Sequence, residues 1–133
     1  MEKVRNIALE QILQQAENLH WSYTIYREPE GTYNGWRCDE RNYAELGKYS
    51  PAGEDFHMII DFDADNPVES FLEDLKMYVD DFDIDEHVEG WIPERGKGGC
   101  PSSIRELSAD AEVIKDMILE LFEICNRKGV NHS

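Results

Sequence analysis

Asp61, Asp63 and Asp65 stand at alternate positions, the spacing of the first three oxygen ligands of a helix–loop–helix calcium site. That loop also needs glycine at its sixth position and a bidentate glutamate at its twelfth, and this chain has Asn66 and Leu72 there. Asp81, Asp83 and Asp85 repeat the opening and meet Ile92 at the twelfth position. Both triplets therefore read as solvated strand-end and helix-cap carboxylates. A calcium- or small-ligand-binding protein using these aspartates stays as the alternative function, but no metal and no cofactor is expected. Cys100 precedes a helix start, where the macrodipole favours a thiolate and free N–H groups can hold an anion. Its distance to Arg105 is one residue short of the Cys-x5-Arg loop that cradles phosphate in tyrosine phosphatases, and no glycine lies between them. Gly96-Lys97-Gly98-Gly99 lacks the preceding strand and the Lys-Ser/Thr ending of a P-loop. His20, His57, His87 and His132 form no His-x-x-x-His pair, and His87, beside Asp85 and Glu86, is placed among carboxylates on a helix surface. These residues assemble no catalytic constellation, so a non-enzymatic protein is expected.

Charge is the stronger signal. Between Asp61 and Glu89 lie twelve carboxylates and one cation, Lys76, in a chain whose formal net charge is −16. Such a balance keeps a protein away from nucleic acid and anionic membranes and favours a basic partner. Phe, Tyr, Trp, Ile and Leu recur among the acids, which speaks for an ordered anionic surface and against a disordered acidic tail. The expected partner-binding face comprises Glu69, Glu73 and Asp80 along one side of a helix, interrupted only by Lys76, and Asp81, Asp83, Asp85, Glu86 and Glu89 beyond its end. Carboxylates four residues apart rise ~6 Å along a helix, against ~3.4 Å per phosphate along one DNA strand. The match is to the field of a nucleic acid and not to each phosphate. The expected function is a protein-interaction module that engages a basic or nucleic-acid-binding protein, with DNA mimicry as its sharpest form. A solubilising surface would have the same composition.

The elements that must carry this face are legible from periodicity. Ile7, Ala8, Ile12, Ala16 and Leu19, widened by Leu9 and Leu13, predict a helix over Val4–Leu19. Trp21 to Tyr26 reads as a strand ended by Pro29-Glu30-Gly31, and Asn34-Gly35 as a turn. The segment from Trp36 to Tyr49 has no clear period and is assigned one or two short strands. Phe56, Met58, Ile60 and Phe62 alternate with polar positions as in a half-buried strand. Asn66-Pro67-Val68-Glu69 has a capping-box arrangement, opening a helix whose stripe is Val68, Phe71, Leu72, Leu75, Tyr78, Val79 and Phe82. Ile84, Val88 and Trp91 share a face of a shorter helix ended by Pro93. Ser103-Ile104-Arg105-Glu106 opens a final helix, to about Asn126, with a seam through Ile104, Leu107, Ala111, Ile114, Ile118, Leu121 and Cys125. The fold class is α+β: an N-terminal helix, a small antiparallel sheet, then two or three helices packed on one face of it.

A length of 133 residues suits one domain, 1–133, with its last few residues expected to be disordered. Trp21, Trp36 and Trp91 are expected as core anchors, and Cys38, Cys100 and Cys125, unpaired by spacing, as reduced thiols of a cytosolic protein. The N-terminus has no signal-peptide pattern, and nothing reaches the ~20 apolar residues of a membrane span. Tyr49 to Phe56 (Tyr-Ser-Pro-Ala-Gly-Glu-Asp-Phe), Phe82 to Trp91, Pro101 to Leu107 and Asp110-Ala111-Glu112 resemble a family of small acidic proteins carried on mobile elements of gut bacteria. The resemblance covers roughly the middle and C-terminal two-thirds of the chain. It transfers no functional residue, and it implies an accessory or anti-defence setting, such as anti-restriction or anti-CRISPR, by association alone.

Overall fold

The computed structural model describes residues 2–51, 53–91 and 104–130. Pro93, the Gly96–Gly99 loop, Cys100, Ser103 of the second capping box and the last three residues lie outside them. The fold is α+β. A two-residue strand β1 (Glu2–Lys3) precedes helix α1 (Ile7–Asn18), strand β2 (Ser22–Glu28), a hairpin of β3 (Gly31–Tyr33) and β4 (Trp36–Cys38), and strands β5 (Arg41–Tyr49) and β6 (Asp55–Phe62). Helices α2 (Pro67–Asp81), α3 (Ile84–Trp91) and α4 (Ile104–Val130) follow. The main sheet is antiparallel throughout, in the order β1-β2-β5-β6, and β3–β4 form their own two-stranded ribbon. Asn34 and Gly35 both take positive φ, 51° and 82°, the backbone that a two-residue hairpin turn requires.

All three long helices cover one face of the sheet. Phe56, Met58, Ile60 and Phe62 of β6 are buried while Asp55, His57, Ile59 and Asp61 point to the uncovered face, because successive side chains of a strand alternate. Ala44 and Leu46 of β5 and Ile25 of β2 continue the inner face through the register Ile25↔Ala44↔Ile60. Against it lie Leu9, Ile12, Leu13 and Ala16 of α1, Phe71, Leu75 and Val79 of α2, and Ile114, Ile118, Leu121 and Cys125 of α4, all in one buried cluster. Full burial of one such side chain contributes about 1.5–3 kcal/mol.

Four expectations need correction. The first helix starts at Ile7 and not at Val4: Asn6 is its N-cap, its side-chain oxygen accepting from Leu9 N at 3.0 Å. Val4 instead donates its N–H to the Ile25 carbonyl at 3.0 Å, extending the sheet edge, and Ile7 is left 69% exposed because the buried stripe is centred on Leu9, Ile12, Leu13 and Ala16. Second, β5 is a nine-residue central strand. Its alternation is hidden in the sequence because Ala44 and Leu46 are its only apolar inward residues, while the outward Tyr43 is buried as well, stacked on Tyr26 at 5.4 Å and under the Arg41 guanidinium at 4.6 Å. Third, Trp36 is no core anchor: at the tip of the hairpin it is 77% exposed, whereas Trp21 is buried edge-to-face on Phe56. Fourth, α4 runs past Asn126 to Val130.

Candidate partner-binding face

Helix α2 is held by its inner stripe and by polar contacts at its start. Pro67 occupies the first turn, but the Asn66 side chain makes no capping hydrogen bond. Ser70 instead ties the first turn to the preceding loop: its hydroxyl donates to the Asn66 carbonyl at 2.6 Å and accepts from Asp63 N at 2.7 Å. Asp74, half-buried, accepts from Asp61 N at 2.9 Å and so ties the helix to the end of β6. With Phe71, Leu75 and Val79 inward, Glu69, Glu73 and Asp80 are turned to solvent. Lys76 ion-pairs with Asp80 at 3.0 Å, and Met77, 59% exposed, shares this side of the helix, so the row is interrupted by a methionine as well as by the lysine.

The chain then turns sharply. Phe82 leaves the helix with an extended backbone, and Asp83 caps α3, its carboxylate accepting from Glu86 N at 3.1 Å and its carbonyl from His87 N at 3.0 Å. Val88 is buried against α4, which leaves Asp83, Asp85, Glu86 and Glu89 exposed, as is Asp81 at the end of α2. All eight carboxylates expected on the face are thus on the surface. Among the described residues only Asp80 of the eight has an ion pair. Asp85 and Glu86 fall in the first turn of α3, where the positive end of the helix dipole favours them.

His87 is not on the open surface of α3. Its Nε2 is 2.9 Å from Glu54, on the turn before β6, and both side chains are mostly buried. The imidazole also lies against Phe82 and Phe56, with ring centroids 5.2 and 5.8 Å away. Sequence spacing could not show this pairing, because 33 residues separate the two partners. Tyr78, Phe82 and His87 border a hollow of about 330 Å³ rimmed by Asp81, Asp83 and Glu86. Burial first, and the Glu54 carboxylate second, push the Tyr78 phenol above its ordinary pKa. The other candidates lie apart. Asp61 is bound by Arg41 at 2.9 Å, and with Asp63 and Asp65 it borders a polar recess beside Glu40 and Asn42. Among the described residues no three His, Cys, Asp or Glu side chains are grouped to hold a metal ion. Cys38 is exposed, whereas Cys125 is buried with its pKa pushed up to about 12, the condition of an unreactive thiol. Among the described residues no helix is long and apolar enough to cross a membrane. No protein-family model, curated protein or solved structure matches this chain.

Proposed function

We propose that the α2–α3 face binds a basic, nucleic-acid-binding protein in place of nucleic acid. The observation that carries this reading is a row of exposed carboxylates on two helices that each pack against α4, and among the described residues only one of those carboxylates has a cation. An anionic field on a rigid support needs no ordering when it meets its partner, so little of the attraction is lost to entropy. The setting implied by the resemblance to mobile-element proteins makes a restriction or CRISPR enzyme the sharpest target. Calcium binding is the weaker reading, since Arg41 already occupies Asp61.

The test is displacement of labelled duplex DNA from purified restriction and CRISPR proteins. A target should release DNA as the protein is added, and salt should weaken this exchange steeply, because exposed charges are screened beyond ~8 Å at physiological ionic strength. Reversal of Glu73, Asp80 and Asp81 to lysine should abolish the exchange with the fold intact. A partner indifferent to both salt and reversal would sink the proposal.

A further inference from the structure

The hollow at the junction of α2 and α3 has a chemistry of its own. The extended backbone at Phe82 and the Asp83 cap swing α3 back, so that Tyr78, Phe82 and His87 become neighbours, with centroids 6.4 Å apart for the first pair and 5.2 Å for the second. Phe56, 4% exposed, stands edge-on to all three rings at 5.8–6.5 Å and anchors them from β6. Glu54 holds the imidazole in place from the side of the sheet. The rings are therefore held by the core and not by one another alone. Asp81 and Glu86 stand at the rim without an ion pair among the described residues, and Asp83 completes it. Carboxylates alone would be only a charged surface. Here they surround a concave aromatic wall.

We infer that this hollow is the seat of one arginine side chain of the basic partner. The inference rests on the reading of the α2–α3 face as a protein-binding surface. A cation is attracted to the face of an aromatic ring, and a planar, weakly hydrated guanidinium can lie on such a ring while its N–H edge donates to flanking carboxylates. Lysine, a strongly hydrated point charge, gains less from the rings. Anions are repelled by the rim, and among the described residues no three His, Cys, Asp or Glu side chains are grouped to hold a metal ion.

The experiment is a titration of the isotopically labelled protein, followed by amide chemical shifts at low ionic strength, with two peptides of equal length and charge, one of alternating glycine and arginine, the other of glycine and lysine. The arginine peptide should shift the amides from Tyr78 to His87 and bind roughly two- to fivefold more tightly than the lysine peptide, the worth of one exposed cation–π contact. Phe82→Leu should erase that preference while weak, salt-sensitive binding persists. Because Phe82 also touches the core, a second arm compares D81N/E86Q with E69Q/E73Q, which remove equal charge from the same face, all four sites being exposed. The first pair should weaken the arginine peptide more. Equal affinities for the two peptides, or equal losses in the two double variants, would overturn the hollow and leave charge-driven binding by the face standing. An arginine preference at the hollow with no displacement of DNA from any target would support the hollow and sink the mimic.

Discussion

In residues 1–50 the guanidinium groups are engaged by carboxylates: Arg5 by Glu10, Arg27 by Glu2 and Glu40, Arg37 by Glu30 and Arg41 by Asp61. On the α2–α3 side Lys76 holds Asp80, and among the described residues no cation reaches Glu69, Glu73, Asp81, Asp83, Asp85, Glu86 or Glu89. The division follows the chain. Residues 1–50 hold eight acids and six bases, residues 51–133 hold 21 and seven, so nearly all of the net charge sits in the second part. Charges that cancel brace the hairpin, the sheet edge and the start of α1, each pair contributing little because it is exposed and screened by solvent. Apart from Asp83, Asp85 and Glu86 at the start of α3, charges of one sign cost self-repulsion. The acidic side must accordingly be held from beneath, by apolar contact.

That contrast can be broken most severely at Phe71, which is fully buried between β6 and α4. Phe71→Ala should cost about 3–5 kcal/mol through lost transfer energy and a cavity, read as a fall in the urea midpoint. A change no larger than that of an exposed alanine substitution would mean that the acidic helix is not anchored by the core.

A smaller effect is expected from alkali. Burial raises the Cys125 thiol from an ordinary 9.0 to about 12, and the Tyr78 phenol is also raised. A group whose pKa is higher in the folded state contributes stability that is complete below its unfolded pKa and is lost as pH climbs through the folded one. Stability should hold to about pH 9 and then decline toward pH 12, and Cys125→Ala should flatten the first part of that decline. A urea midpoint unchanged between pH 9 and 11 would show that this thiol is not buried as described.

The smallest effect sharpens the comparison most. Neutralising Glu73, Asp81 and Glu89 together should raise the midpoint of thermal unfolding slightly, each site within about 0.5 kcal/mol, and only at low salt, where self-repulsion is unscreened. A marked loss of stability would give these carboxylates a structural part on the face where the proposal assigns them to a partner.

Periodicity made α2, β6 and the seam of α4 legible, since a stripe at three- and four-residue steps, or a strict alternation, has one low-energy arrangement against a core. It also placed the eight carboxylates outward, because the positions between buried ones face solvent. The end of α1 was less plain. Trp21 N and His20 N close onto the Ala16 and Glu17 carbonyls at 2.9 and 3.0 Å, with His20 at φ 68° where glycine is the usual residue, so no glycine signals the stop. Only the tertiary structure decided that Arg41 to Tyr49 is a central strand, for its pattern is defined by neighbours on both edges. Only it brought Glu54 to His87 and turned two residues of a helical stripe, Tyr78 and Phe82, into the wall of a hollow. Local spacing reports which way a side chain faces along its own element, whereas a contact across 33 residues depends on how separate elements pack.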